Sequence, residues 1–360
     1  MDSMTSFERL DAAIAGKPVD RLPWSPFLAY FWEAQPEDRR SRGPLAFLHE
    51  VGADPLWRGA PCPVRSIVDG IEISETKDEA NIRTETRTPV GNLHTRHQLS
   101  GPGGTWFLVE HALRTVADFR IQLWIEEHTR FEIDLTQVDE HFAGDGREGL
   151  SIGMLFPRGK TAFQSLVETL VGTEELAYAL ADFPDEVEAL YTVMRDNDLR
   201  AARLAVEAPY RHFITWEDSS TQNYSPAQYR RYIAPEIADL CQILHGQGKH
   251  YIQHACGHVK ALLPTMHASG VTAVESLSPR PTGNVSLAEA RSALGPKVGI
   301  IGGIEPTEFL RRPLPEFRAY VEQVIADGEG GPFVLANSDS CPPGVTIEKF
   351  RLVGDIVRGH

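Results

Sequence analysis

The stretch KHYIQHACGH, residues 249–258, joins a short apolar run directly to histidines and a cysteine. The run KHYIQH has strand character, and Gly257 permits the turn that follows it. Because side chains alternate between the two faces of a strand, His254 and Cys256 project in the same direction. The stretch therefore predicts a strand that presents an imidazole and a thiol together at its carboxyl end.

Similar apolar runs recur along the C-terminal two-thirds of the chain, and segments of helical period separate them. The other runs are SIGML (151–155), HFITW (212–216), VTAVE (271–275), KVGII (297–301) and PFVLA (332–336). Repeated strand–helix–strand units predict an α/β fold with a parallel sheet, either a (β/α)8 barrel or a doubly wound sheet. No GxGxxG motif follows the first strand, which disfavours a dinucleotide-binding doubly wound fold.

Two local patterns refine this organisation. Residues 66–100 alternate polar and apolar side chains around a PVGN turn, which predicts an antiparallel hairpin inserted near the N-terminus and able to cover one end of a barrel. Further along, Ser225 is a good N-cap, and Gln228 completes a capping box for a helix with a long apolar face. Pro235 lies inside this helix and should bend or split it.

Composition excludes several classes of function. The chain has 360 residues, 35 Lys and Arg against 50 Asp and Glu, and a formal net charge of −15, which disfavours a nucleic-acid partner. The first residues lack the basic and apolar regions of a secretory signal, and no apolar run is long enough to span a bilayer. We expect a cytoplasmic protein with one domain over 1–360. Four scattered cysteines do not form a disulfide scaffold.

A third soft ligand follows the last predicted strand. Cys341 closes PFVLANSDSC, and in an α/β barrel the residues at the carboxyl ends of the strands meet around one opening. One imidazole and two thiols suit Zn²⁺, and three protein ligands leave a position open for a substrate. Buried histidines and free cysteines are also common without a metal, and Cys241 and Cys62 are interpreted as such packing residues.

Acidic and polar residues follow the neighbouring strands. Glu275 ends VTAVE and is a candidate catalytic residue or weak fourth metal ligand, although it could equally pair with a lysine or cap a helix. Glu217 and Asp218 follow HFITW and could bind a substrate or act as acid and base, unless they are simply solvated. Tyr224 and Asn337 are the predicted substrate-binding residues beside them.

Four segments resemble the uroporphyrinogen decarboxylase superfamily, in particular its zinc-dependent, corrinoid-linked methyltransferases. They are ERLDAAIAGKPVDRLPW (8–24), TWEDSSTQNYSPAQYRRYIAP (215–235), VGIIGGIEP (298–306) and CPPGVTIEKFRLVGDIV (341–357). In the methyltransferases, a His-x-Cys after one strand and a distant C-terminal Cys hold zinc, which implies the ligands His254, Cys256 and Cys341 here. The related zinc site of cobalamin-independent methionine synthase adds a glutamate, which implies Glu275 as a further ligand.

The resemblance implies a (β/α)8 TIM barrel that moves a methyl group between a methylcobamide, carried by a partner corrinoid protein, and a small substrate. That substrate is a thiol acceptor or a methylated donor, and the direction of transfer and a homodimer both stay open. A decarboxylase is disfavoured because Arg39 and Arg40 do not form the Gln-Ala-Gly-Arg signature of that enzyme. A zinc-binding barrel without activity is the remaining alternative.

Overall fold

Thirteen strands are present among the residues that the computed structural model describes, 3–100 and 105–359. They are β1 (Leu56–Ala60), β2 (Val64–Val68), β3 (Glu72–Lys77), β4 (Asn81–Thr88), β5 (Gly91–Leu99), β6 (Trp106–Glu110), β7 (Thr129–Ile133), β8 (Leu150–Met154), β9 (His212–Thr215), β10 (His250–His254), β11 (Ala273–Leu277), β12 (Gly299–Ile304) and β13 (Phe333–Asn337). Seven form one parallel sheet in the order β1-β8-β9-β10-β11-β12-β13. The predicted α/β class and parallel sheet are confirmed, and each predicted run overlaps one of these strands.

A short segment lies between the two edges of the parallel sheet. Trp24 forms a parallel bridge with Leu335 of β13, where Ser25 N donates to Leu335 O at 2.9 Å and Leu335 N donates to Pro23 O at 3.0 Å. On its other side, the Asp54 N–H donates to Trp24 O at 2.7 Å just before β1. The segment occupies the eighth position, so the fold is TIM-barrel-like with seven full strands.

The barrel interior is apolar at the amino ends of the strands and is closed there by the first helix, α1 (Ser6–Ile14). Thr5 and Glu8 form a capping box that begins this helix. Its inner face and the strands share one core, which contains Leu10, Ala13, Ile14, Leu56, Leu150, Ile152, Ile214, Ile252, Ala273, Ile301, Val334 and Ala336. The carboxyl ends of the strands are left for polar side chains.

Further helices cover the outside of the sheet. They are α2 (Ala29–Glu33), α3 (Glu37–Arg40), α4 (Gly43–Glu50), α5 (Val116–Glu127), α6 (Thr136–Ala143), α7 (Ala162–Ser165), α8 (Thr173–Asp182), α9 (Pro184–Ala205), α10 (Pro226–Gln228), α11 (Ala234–His245), α12 (Leu263–Ala268), α13 (Leu287–Leu294), α14 (Glu308–Arg311), α15 (Leu314–Gly328) and α16 (Ile347–Gly359). A 3-10 turn covers Asp145–Arg147, and π-helical turns cover Leu166–Leu170 and Tyr229–Ile233. Across the described residues, no helix has the length and apolarity needed to cross a membrane.

The helical region after β9 shows the predicted interruption. Ser225 and Gln228 form the capping box, and α10 passes through a π-helical turn into α11. Pro235 is the second residue of α11, where its missing N–H is tolerated because the first turn of a helix leaves its N–H groups without partners. The proline therefore divides the helical segment, as its sequence predicts.

A separate four-stranded antiparallel sheet, in the order β3-β4-β5-β6, contains most of the residues that predict a hairpin. The turn at 89–90 joins β4 to β5, where Thr88 pairs with Gly91. Residues 66–68 belong instead to β2, which pairs with β7. Leu93 on β5 is buried in the same core as Ile121 of α5, so one face of this sheet packs on the outer helices.

Candidate metal centre

One group of three potential metal ligands occurs among the described residues, and it consists of Asp218, His254 and Cys256. Each offers one ligand atom, and all three atoms lie within 4.8 Å of one another. His254 Nε2 is 3.2 Å from Asp218 Oδ1, and Cys256 Sγ is 3.4 Å from the same oxygen. The group lies at the carboxyl ends of β9 and β10, on the side of the barrel opposite α1.

The backbone at Gly257 lies very close to the loop that follows β9, and this close approach brings the three ligand residues together. A Cβ atom at this position would lie 2.5 Å from Ser220 Cβ and 2.8 Å from Ser219 O, distances that real Cβ atoms essentially never show. His258 N donates to Ser220 Oγ at 3.1 Å, which ties the same two loops. The glycine therefore lets the loop after β10 lie against the loop that carries Asp218.

Glu275 contacts the other nitrogen of the histidine. Its Oε2 is 2.6 Å from His254 Nδ1, and its Oε1 is 2.9 Å from Arg58 Nε. The Arg58 Nε–H is not aligned with this oxygen, so the Arg58 contact is an ion pair and not a hydrogen bond. Burial opposes ionisation of Glu275, yet the charges of His254 and Arg58 leave its pKa below the usual value.

Lys160 holds the far side of Asp218. Its Nζ is 2.9 Å from Asp218 Oδ2, 2.6 Å from Glu168 Oε2 and 2.7 Å from Trp216 O. Burial opposes ionisation of Asp218, but His254 and Lys160 lower its pKa overall. Burial, followed by the nearby Asp218 charge, raises the pKa of Glu168 to about 7. The side chain of Lys160 thus links two carboxylates at the opening.

Asp339 adds a further carboxyl group from the loop after β13. Burial raises its pKa, while the charge of His254 opposes that shift, and the charges of Glu275 and Asp218 reinforce it. Asp339 also acts on Cys256, whose thiol pKa is raised first by burial. The opening therefore concentrates negative charge around one imidazole and one thiol.

Aromatic rings form one wall beside the histidine. The Trp216 ring lies edge-on to His254, with 5.0 Å between centroids, and it stacks on Phe27 at 6.1 Å. The Arg58 guanidinium stands 5.4 Å from the centroid of Phe27. Gly59 has φ +67°, and a Cβ there would lie 2.6 Å from Trp216 Cζ2, so only a glycine leaves room for this ring.

Cys341 is not brought into the three-residue group. It is fully buried, it packs in the apolar core outside the sheet, and burial raises its pKa. Its N–H donates to Phe27 O at 2.9 Å, and its carbonyl accepts from Phe31 N at 2.8 Å. The backbone of Cys341 is therefore fixed on both sides to the segment that leads into α2.

Glu217 points away from its neighbour Asp218. It is fully buried, and its two oxygens accept from Thr161 N at 2.6 Å and Thr161 Oγ1 at 2.8 Å. Thr161 immediately precedes α7, so Glu217 satisfies an N–H at the start of that helix. The structure thus gives Glu217 a structural contact and leaves Asp218 at the opening.

Tyr224 and Asn337 are buried and already hydrogen-bonded within the protein. The Tyr224 hydroxyl donates to Gln164 Oε1 at 3.0 Å. The Asn337 amide accepts from Phe27 N and donates to Phe27 O, both at 2.8 Å. These contacts position the loops around the opening, and neither side chain belongs to the three-residue group.

Sequence reasoning missed Arg58, Lys160, Glu168 and Asp339 at this opening. Lys160 could have been found, because it follows β8 by six residues and the carboxyl ends of parallel strands share one edge. Asp339 follows β13 by two residues and obeys the same rule. Arg58 carries no such signal, because it lies within β1, a strand that the sequence pattern did not predict.

Comparison with known proteins gives the family of the chain. The sequence profile of the family described as uroporphyrinogen decarboxylase (URO-D) matches residues 161–360, more than half of the chain. The chain therefore belongs to the uroporphyrinogen decarboxylase family, and the resemblance predicted from the sequence is confirmed at that level. A search of curated proteins finds no match.

Solved structures extend the similarity to the whole chain. A methyltransferase from Methanosarcina mazei superposes with a TM-score of 0.64 at 14% identity, and the alignment covers 99% of both chains. At this identity the similarity establishes the fold alone. A B12-independent methionine synthase from Shewanella sp. W3-18-1 aligns over 94% of this chain and 97% of its own at 11% identity, with a TM-score of 0.44.

Proposed function

We propose that this member of the uroporphyrinogen decarboxylase family is a zinc-dependent methyltransferase. It would move a methyl group between a corrinoid carried by a partner protein and a small thiol or methylated compound. The observation that carries the proposal is the cluster of Asp218, His254 and Cys256 at the carboxyl ends of the strands. In α/β barrels this end is where catalytic groups are found.

The chemistry of the donors fits zinc. An imidazole, a thiol and a carboxylate are all ligands that Zn²⁺ accepts, and the thiol favours zinc over Mg²⁺ or Ca²⁺. Asp218, Glu275 and Asp339 also surround His254 with an excess of negative charge, which a divalent cation would offset. When bound, zinc would lower the pKa of a thiol substrate or polarise the heteroatom that carries a methyl group.

We propose His254, Cys256 and Cys341 as the protein ligands, with Asp218 beside them. Cys341 would have to leave the apolar core to reach this group. Exposing one small apolar side chain costs about 1–2 kcal/mol, whereas zinc binding to a site with thiolate ligands releases about 10–16 kcal/mol. One ligand contributes about a quarter of that binding free energy, about 3 kcal/mol, which exceeds the cost of exposing the side chain. The loop at 338–340 is the segment that would move.

The surrounding residues would bind and orient the substrate. Lys160 fixes one oxygen of Asp218, so the other oxygen stays directed at His254 and Cys256. The stacked rings of Phe27 and Trp216 provide an apolar wall that would exclude water from one side. We propose that the partner corrinoid protein docks at this opening and that the four-stranded sheet contributes to the docking surface.

A decarboxylase acting on an acidic tetrapyrrole is the second candidate, because the family is described by that activity. Such a substrate requires free cationic side chains to bind its carboxylates. Two cations beside the three-residue group, Arg58 and Lys160, are both paired with carboxylates. The electrostatics of the opening therefore favour a metal cation over a polyanionic substrate.

The test follows the cobalt centre of free cobamides by absorption. We expect the zinc-loaded protein to interconvert methyl-cob(III)amide and cob(I)amide with one of the candidate thiols, methoxylated aromatics or methylamines. Cys256→Ala should abolish both bound zinc and turnover, while Cys241→Ala, a buried cysteine on α11, should keep both. Turnover that survives His254→Ala, or metal-free decarboxylation of a uroporphyrinogen, would overturn the proposal.

A further inference from the structure

We infer that Glu275 is a positioning residue for His254, and that Arg58 holds Glu275 out of the metal coordination sphere. This inference rests on the proposed zinc site and assigns a different role to the glutamate than that of a ligand. It also names Arg58 as a functional residue of the site. The argument depends on the contacts of three side chains, all of them almost completely buried.

Both oxygens of Glu275 are already engaged inside the protein. Oε2 lies 2.6 Å from His254 Nδ1, while Oε1 lies 2.9 Å from Arg58 Nε and accepts from Ser276 Oγ at 3.2 Å. A carboxylate that accepts from Nδ1 fixes the tautomer of the ring and leaves Nε2 as the donor atom. Nε2 is the nitrogen that faces Asp218, as a metal ligand requires.

Arg58 reaches Glu275 across the barrel and not along the sheet. It lies on β1, whereas Glu275 lies on β11, and three strands separate the two in the order of the sheet. Its Nη2 also donates to Ser25 O at 3.1 Å, in the segment that occupies the eighth position. A register shift follows at Gly59, which ends the regular pairing directly after Arg58.

Burial makes this pair costly to separate. The Arg58 side chain is 2% exposed, and Glu275 is fully buried. A charge that loses its partner in such surroundings is strongly destabilising, because no water replaces the lost contact. Movement of Glu275 to the metal would leave the buried Arg58 guanidinium without its charged partner. The pair therefore keeps the carboxylate on Nδ1 and keeps one metal position open for the substrate.

The test uses cobalt(II) in place of zinc, because its absorption bands report thiolate ligation and coordination number without any turnover. Glu275→Gln keeps an acceptor for Nδ1 and should leave the band positions unchanged, while cobalt affinity falls about 10–100-fold. Arg58→Met should release Glu275 toward the metal and change the spectrum. Adding Glu275→Gln to Arg58→Met should restore the wild-type spectrum.

Matched controls separate a local effect from general damage. Arg158→Met breaks another buried ion pair, between Arg158 and Glu126 at 2.9 Å, and should leave the cobalt spectrum and affinity unchanged. If Arg58→Met does not fold, as judged by circular dichroism, Arg58→Lys should give a smaller spectral change in the same direction. NMR of the zinc-loaded protein should place the single His254 ring proton on Nδ1.

The possible outcomes are distinct. If Glu275→Gln alone changes the coordination bands, or if both Arg58 variants leave the spectrum and affinity of the wild type, the positioning role is wrong. A wild-type protein that binds no cobalt, or binds it without a thiolate band, would instead refute the proposed zinc site itself. Unchanged bands with weakened affinity in Glu275→Gln, together with the restoration in the double variant, would support the inference.

Discussion

The carboxyl ends of β10 and β13 both lead into a cysteine, yet the two thiols lie in opposite environments. Cys256 follows the last residue of its strand, His254, by two positions, and its Sγ contacts Asp218. Cys341 follows the last residue of its strand, Asn337, by four positions and is buried in the apolar core. Strand alternation predicts direction only while the backbone stays extended, so it holds for the first thiol and not for the second.

The difference also shows what fixes each loop. Gly257 allows the loop after β10 to approach its neighbour, which places the ligand atoms of Asp218, His254 and Cys256 close together. The loop after β13 is held instead by hydrogen bonds from its backbone to Phe27 and Phe31. Metal binding would therefore leave the loop of Cys256 in place, whereas it would have to move the loop of Cys341. We expect the following effects of substitution, from the largest to the smallest.

The largest effect is expected from Cys256→Ala. Because Cys256 belongs to the preformed group, its loss should reduce bound zinc from about one per chain to near zero. Metal analysis by plasma emission after dialysis measures this, and circular dichroism should show an unchanged fold. Retention of stoichiometric zinc by this variant would mean that the group around His254 is not the metal site.

The second prediction concerns Cys341→Ala. If the thiol is recruited, its loss removes about a quarter of the binding free energy, about 3 kcal/mol, and zinc affinity should fall at least a hundredfold. Competition with a chromogenic chelator measures the affinity. If Cys341 only packs in the core, zinc affinity stays unchanged and thermal stability falls instead. Asp218→Asn in the same assay shows whether the Asp218 carboxylate, and not the Cys341 thiol, is the third protein ligand of zinc.

The third prediction concerns two buried acids, Asp198 and Glu236, that do not belong to the metal group. Asp198 and Glu236 are fully buried side by side behind α7, and burial, reinforced by their mutual repulsion for Glu236, raises the pKa of both. A raised pKa means that the folded protein holds a proton that the unfolded chain has released above about pH 4. The free energy of unfolding should therefore fall as the pH rises from about 5 to 8.

Denaturant unfolding across that pH range measures the effect, which should amount to about 1–3 kcal/mol. Asp198→Asn removes one carboxyl group of the pair and should flatten the dependence. A stability that rises over the same range in the wild type, or a slope that Asp198→Asn leaves unchanged, would contradict the raised pKa values of this pair. Zinc binding should not change in this variant, because neither acid belongs to the metal group.

Much of this arrangement could be predicted from local sequence. The apolar runs give the parallel strands, Pro235 gives the divided helix, and the His-x-Cys spacing gives two of the three clustered ligand atoms. Interactions between distant segments could not be predicted, because no local periodicity encodes them. The bridge between Trp24 and Leu335 joins the two ends of the sequence, and the Arg58–Glu275 pair crosses the barrel. The single-domain interpretation of 1–360 stays a prediction.

The smallest effect is expected at Glu217, next to Asp218 in the sequence. Glu217→Gln keeps an acceptor for the Thr161 N–H, and burial already raises the pKa of this carboxyl, so a neutral amide is well tolerated. The free energy of unfolding should change by less than about 1 kcal/mol, and zinc affinity should stay at the wild-type value. Asp218→Asn, one residue further, should weaken zinc binding, because that carboxylate lies within the metal group. Equal losses of zinc in both variants would contradict this assignment. They would show that Glu217 supports zinc binding as much as Asp218 does.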